Sequence, residues 1–249
     1  MSNRKFLTAE WRKLIMANYS VDPSILRQYL PAQTELDFWN GKCYVSLVGF
    51  LFKNVKVKGI KIPFHVNFPE VNLRFYVRYM DNNDPIAIGW KRGVVFISEI
   101  VPKPAIVFVA NTIFKEHYLS LPMRYSWKND KEDLLVRYEW KKNKKWNSIG
   151  VTADSKAIAL QAGSEEEFIT EHFWGYSAIS ATQTNEYHVE HPRWNIYPVN
   201  EYSIDCDFEN LYGESFRHLA DRRPDSVFMA EGSDIAVFQK RVLPDAVTR

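Results

Sequence analysis

From residue 42 onward the chain alternates apolar and polar side chains with a period of two, the pattern of strands packed on one face. Segments 42–52, 71–79, 94–100, 105–111, 134–140 and 146–153 carry it, rich in Val, Ile, Tyr, Phe and Trp. Ahead of them, residues 8–19 space Trp11, Leu14, Ile15 and Asn18 three and four apart, which predicts a short amphipathic helix. Asp22-Pro23 predicts another helical turn ending by Pro31, since Asp caps well and Pro suits the first helical position. Ser164 with Glu167 three residues on reads as a capping box for a helix over 165–172. The lysine-rich run 141–145 reads as a solvated hairpin tip. Gly232-Ser233 reads as the turn joining a last pair of strands, 225–231 and 234–239. Together these elements predict an α+β chain, mostly antiparallel β, with a few short peripheral helices and one domain over residues 1–249.

Composition narrows the function classes. With 46% hydrophobic and 25% charged residues, the chain is globular rather than disordered. A formal charge of +2 gives no electrostatic footprint for nucleic acid and no polybasic membrane patch. No apolar run approaches the roughly 18 residues of a membrane span, and the N-terminal segment lacks the apolar core of a signal peptide, so a cytoplasmic protein is expected. Cys43 and Cys206 lack zinc-type spacing. Two buried thiols are expected, with a disulfide left open. Aromatic residues make up 15% of the chain, enough to fill a core or line an apolar pocket.

The segment from Glu70 to Tyr79 carries the most chemistry. In a strand, Val71, Leu73, Phe75, Val77 and Tyr79 face one way, and Glu70, Asn72, Arg74, Tyr76 and Arg78 the other. Such a polar row can line an enclosed pocket, with Arg74 gripping a carboxylate and Glu70 acting as acid or base; it can equally be an ion-paired solvent face. Within a pocket, Arg74 is expected to pair with Glu70 or another carboxylate until an anionic ligand competes. His188 and His191 are three apart, but Pro192 forces extended backbone and sends them to opposite faces, so no metal site is expected. Glu171-His172 reads as a polar helix end. No phosphate-cradling or nucleophile-elbow motif is present, and no cofactor is expected.

Several blocks in order resemble the DUF2071 (YqjF-like) family of bacterial proteins. They are Leu30-Pro-Ala-Gln-Thr-Glu-Leu-Asp37, Gly41-Lys-Cys-Tyr-Val-Ser-Leu-Val48, Phe68-Pro-Glu-Val-Asn-Leu-Arg-Phe-Tyr-Val77, Gly93-Val-Val-Phe96, Leu121-Pro122 with Tyr125, Phe168-Ile-Thr-Glu-His172 and His188-Val-Glu-His-Pro-Arg-Trp194. That family in turn is similar to the acetoacetate decarboxylase superfamily. The similarity implies a barrel-like antiparallel sheet around a central pocket. In those decarboxylases a lysine just after a Gly-aromatic-Pro step forms a Schiff base, its pKa lowered by a neighbouring lysine. The matching step here is Leu121-Pro122, followed by Met123, Arg124 and Tyr125, none of which forms an imine. Lys115 lies at the wrong offset. Glu70, in the setting Phe68-Pro69-Glu70, matches the pocket glutamate of those enzymes.

Three readings follow. One is a small-molecule-binding barrel for a carboxylate or carbonyl compound, with Glu70, Asn72, Arg74 and Tyr76 facing the ligand and Arg124 and Tyr125 opposite. Another is an enzyme (a non-Schiff-base lyase, hydrolase or isomerase) using Glu70 as acid or base. The third is a filled, non-catalytic interaction scaffold. A small molecule is the expected partner, with no nucleic acid and no membrane; a homo-oligomer is compatible with the sequence.

Overall fold

The computed structural model describes residues 4–81, 89–130 and 132–244. Its strands are β1 (Lys5–Val21), β2 (Glu35–Leu36), β3 (Cys43–Val57), β4 (Phe68–Asp81), β5 (Gly89–Val101), β6 (Tyr118–Ser120), β7 (Met123–Asp130) and β8 (Asp133–Lys142). They continue as β9 (Lys145–Asp154), β10 (Ile158–Ala159), β11 (Trp174–Ala178), β12 (Thr184–Glu190), β13 (Asn195–Tyr197), β14 (Val199–Asp205), β15 (Ser226–Phe238) and β16 (Arg241–Val242). Four short helices, α1 (Pro23–Leu26), α2 (Pro104–Val109), α3 (Glu165–Thr170) and α4 (Phe208–Tyr212), join them.

The main sheet runs β15-β1-β3-β4-β5-β11-β12, and β12 pairs with β15 in turn, so the path comes round as a ring. That last junction has only two residue pairs, Val189 with Val237 and Glu190 with Ala236, and the sheet is ring-like rather than a strict barrel. Pairing is antiparallel except where β5 meets β6 and β11. A second antiparallel sheet, β14-β9-β8-β7, covers one side of the ring.

Alternation within the strands builds both layers. Val71, Leu73, Phe75 and Val77 of β4 are fully buried, in one core with Val136, Tyr138 and Trp140 of the second sheet. Glu70, Asn72 and Arg74 point the opposite way, into the ring. Cys43 and Cys206 are free, buried thiols.

Three local expectations are corrected. Residues 8–19 form part of β1, not a helix. The register against β3 shifts between Arg12 and Ile15, where Lys13 takes a left-handed φ of 53°. This β-bulge adds a residue, so Trp11 and Leu14 both face the cavity and imitate helical spacing. Residues 105–111 lie in α2 and a following π-helical turn, Ala110–Phe114. Pro104 occupies the first turn of α2, where its missing N–H costs nothing, whereas it cannot donate to a ladder. Gly232 makes no hairpin: it sits inside the continuous strand β15, opposite Arg12, with φ +79°. A Cβ there would lie 2.0 Å from the Trp11 carbonyl oxygen, so the glycine lets β15 follow the bulge in β1.

Elsewhere the local chemistry acts as read. Asp22 accepts from the Ser24 N–H at the start of α1, and the Ser164 hydroxyl accepts from the Glu167 N–H at the start of α3. The Glu167 carboxylate accepts from the Gly163 N–H, one residue earlier than a capping box requires, and α3 stops at Thr170. The β8–β9 tip is a tight turn with Asn143 and Lys144 both at positive φ.

Candidate functional site

The interior face of the ring encloses a cavity of about 340 Å³. Its walls are apolar: Trp11 stands edge-on to Phe50 at 5.6 Å and to Trp194 at 6.2 Å, and Phe52 and Phe68 continue the surface. Ile62 and the α2 residues Ile106 and Val109 complete the apolar lining.

Register explains which polar groups meet there. Asn72 of β4 pairs with Glu99 of β5, and Arg74 pairs with Phe96, with a register shift between Leu73 and Arg74. The extra residue in β5 turns both Phe96 and Glu99 inward, although they are three apart. Glu99 in turn pairs with Tyr118 of β6, which brings Tyr118 and the preceding Glu116 to the same end of the cavity. Tyr187 of β12 reaches that end because Gly175 opposite has no side chain; a Cβ at Gly175 would lie 2.1 Å from the Tyr187 ring.

Three carboxyl groups therefore share one end. Glu70 and Glu99 are each only 2% exposed. Glu70 Oε1 accepts from Asn72 Nδ2 at 3.1 Å, Glu116 Oε1 accepts from the Tyr187 hydroxyl at 2.8 Å, and Tyr118 lies close enough to bear on both Glu70 and Glu99. Oε2 of Glu70 and Oε2 of Glu99 have no partner. Burial, chiefly, pushes Glu70 up to about 8 and Glu116 up to about 7; the charge of Glu116 adds to the rise at Glu70. Glu99 is held well above the carboxylate range by burial and by Glu116 and Glu70. Lys240, beyond β15, has its ammonium pushed below the usual lysine range by burial, while Glu116 draws it up and Lys115 pushes it down.

At the other end lies Arg74. Its Nη2 donates to the Ile169 carbonyl at 3.2 Å, and its Nε has no partner. Among the described residues no carboxylate pairs with it, which corrects the expected ion pair with Glu70. The reason is geometric: four residues along a strand separate the two Cα atoms by about 13 Å. His172 lines the cavity just after α3, with Nε2 3.2 Å from Asp37 Oδ2 and Nδ1 without a partner. Burial pushes His172 down to about 4 against the pull of Asp37, so the neutral ring donates to Asp37, which Arg92 also binds at 2.6 Å. His191 also lines the cavity, stacked on Trp194 at 4.3 Å and pushed by burial down to about 4.

The structure thus brings Glu70, Asn72 and Arg74 together on the cavity wall. Tyr76 lies outside the lining: its hydroxyl meets the Ser46 hydroxyl at 2.6 Å, and its ring packs on Phe168 and His172. Arg124 and Tyr125 do not stand opposite the row. They sit on β7 of the second sheet, across the core from the cavity; Arg124 binds Glu139 at 2.7 Å and lies 4.3 Å from the Trp146 ring, and Tyr125 is 46% exposed. Glu99, Glu116, Tyr118 and His172 join the site although period-two reading did not select them. His172 at least belongs to a block that carries the family resemblance.

This ring-like, mostly antiparallel fold is similar to that of acetoacetate decarboxylase-like proteins of known structure. The acetoacetate decarboxylase of Legionella pneumophila superposes with a TM-score of 0.64 at 14% identity, over 98% of this chain and 89% of that one. An acetoacetate decarboxylase-like enzyme from Sphingomonas wittichii RW1 gives 0.67 at 13% identity, over 97% and 94%. The enduracididine biosynthesis enzyme MppR complexed with pyruvate gives 0.68 at 10% identity, over 98% and 93%. The chain belongs to the DUF2071 family, described as an uncharacterized conserved protein, whose family model matches residues 8–234. It is also 32% identical to the uncharacterized protein YqjF of Bacillus subtilis over 124 residues, about half of each chain.

Proposed function

We propose that the cavity binds a small molecule with an apolar body and a carboxylate or carbonyl group, and that Arg74 receives that group. The observation that carries this reading is Arg74 itself: a guanidinium on the wall of an apolar cavity, with no carboxylate partner among the described residues and an orphaned Nε. An anion would pair with it through two parallel hydrogen bonds and offset the cost of keeping it out of water. A volume of about 340 Å³ falls within the range of ligand sites and disfavours the filled scaffold. MppR, of the same fold, is complexed with pyruvate, itself a carboxylate and a ketone.

A thermal-shift screen of carboxylates on the wild type, Arg74→Met and Glu70→Gln/Arg74→Met tests this. Hits should raise the wild-type midpoint and lose most of that effect in both variants. Equal shifts in all three proteins would refute it.

A catalytic reading is favoured by one feature. Glu70 is held near neutrality with Oε2 unpartnered, which suits a proton acceptor or donor beside a bound carbonyl compound. In deuterium oxide, a ketone substrate would exchange its α-protons with the wild type and not with Glu70→Gln. Equal exchange rates would remove Glu70 from that role.

A further inference from the structure

The end of the cavity away from Arg74 has its own unmet chemistry. Glu70, Glu99 and Glu116 converge there from β4, β5 and the segment before β6, and the unpartnered Oε2 atoms of Glu70 and Glu99 belong to side chains 98% removed from solvent. The other titratable groups facing them are Tyr118 and Tyr187, both acceptors or donors without positive charge. Lys240 bears on Glu116. Among the described residues no three or more His, Cys, Asp or Glu side chains are arranged to hold a metal ion, and the apolar, aromatic walls suit an organic cation. The surrounding Phe50, Phe52, Phe68 and Trp11 rings add faces that attract cations.

We propose that this end of the cavity receives a protonated amine, held by Glu70 and Glu99, so that the ligand class is an amine on an apolar body. The inference rests on the cavity being a ligand site and deepens that reading; a molecule that also carries a carboxylate would span to Arg74. The proton balance is explicit. The carboxylic acid gives up its proton to solvent, the resulting carboxylate accepts N–H bonds from the ammonium, and no bond to carbon forms or breaks. Affinity therefore rises with pH while the free carboxyls are still protonated.

Isothermal titration with hexylamine, hexanol and hexanoate, at pH 6, 7 and 8 and in buffers of different ionisation heat, tests the proposal. At pH 7 hexylamine should bind at least about tenfold more tightly than hexanol. It should release about one proton, and its affinity should rise about tenfold from pH 6 to pH 7. Glu70→Gln/Glu99→Gln should reduce it to the hexanol value, with thermal unfolding confirming that the variant is folded; Glu116→Gln, at a half-buried position, should weaken it in the same direction. Equal binding of hexylamine and hexanol, pH-independent binding, or unchanged affinity in the folded variants would overturn the proposal. Hexanoate reports separately: if it fails to bind while hexylamine binds as stated, the Arg74 assignment falls and the amine site stands.

Discussion

At the residue scale, the cavity carboxyls set a pH dependence opposite to that of an ordinary salt bridge. Glu70, raised from 4.5 to about 8, and Glu116, raised to about 7, bind protons more tightly folded than unfolded. The folded chain then carries more protons through that range, so their contribution is full below about 4.5 and is lost as pH rises toward 8. His172 and His191 move the other way: lowered from 6.5 to about 4, they favour the folded chain above 6.5 and lose that benefit as pH falls toward 4. The effects oppose each other in mild acid, and from pH 6.5 to 8 the carboxyl effect stands alone among these groups. Chemical denaturation should show stability falling over that interval. Glu70→Gln should flatten the fall and raise the melting midpoint at pH 8, roughly 2–4 °C for each kcal/mol relieved. A steeper fall in the variant would contradict the assignment. Alternation along β4 was enough to place Glu70, Asn72 and Arg74 on one face. Arg124 and Tyr125 were assigned by their position after Leu121-Pro122, and chain order does not reveal that β7 belongs to another sheet.

At the element scale, bulges decide what faces the cavity. The shift at Lys13 turns Trp11 and Leu14 inward, and the one opposite Leu73 and Arg74 does the same for Phe96 and Glu99. An inserted residue disrupts the period of two, which is why β1 resembled a helix and Glu99 escaped the polar row. β3, β4, β8 and β9 were legible from their alternation, whereas β7, β11, β12 and β14 were not picked out from the sequence. Gly232→Ala tests the coupling of β15 to β1. It combines a left-handed φ with a Cβ 2.0 Å from a carbonyl oxygen, and should cost well over about 1 kcal/mol in urea denaturation. Gly41→Ala, also at positive φ but with nothing within 4 Å, should cost about 1 kcal/mol or less. Equal costs would mean that the close approach of the two strands is unimportant.

At the scale of the whole molecule, the ring with its covering sheet supplies a cavity without the amine that its decarboxylase resemblance would lead one to seek. No lysine is among the described residues that line it, and Met123 and Arg124 occupy the matching step on the outer sheet. Borohydride treatment with acetoacetate should leave the intact mass unchanged. An adduct on Lys240, whose ammonium is already pushed down, or on Lys115 would contradict this. The fold class was legible because antiparallel alternation dominates the chain; the carboxyl end was not, since it is assembled from β4, β5, β6 and β12 by pairings distant in sequence. The eight tryptophans give the most direct test of where a ligand sits. In ¹⁹F NMR of protein labelled with 5-fluorotryptophan and titrated with hexanoate, the resonances of Trp11, Trp174 and Trp194, which line the cavity, should move. Those of Trp127, Trp140 and Trp146 on the second sheet should stay fixed. Movement confined to the second sheet, or none at saturating hexanoate, would contradict a ligand site inside the ring.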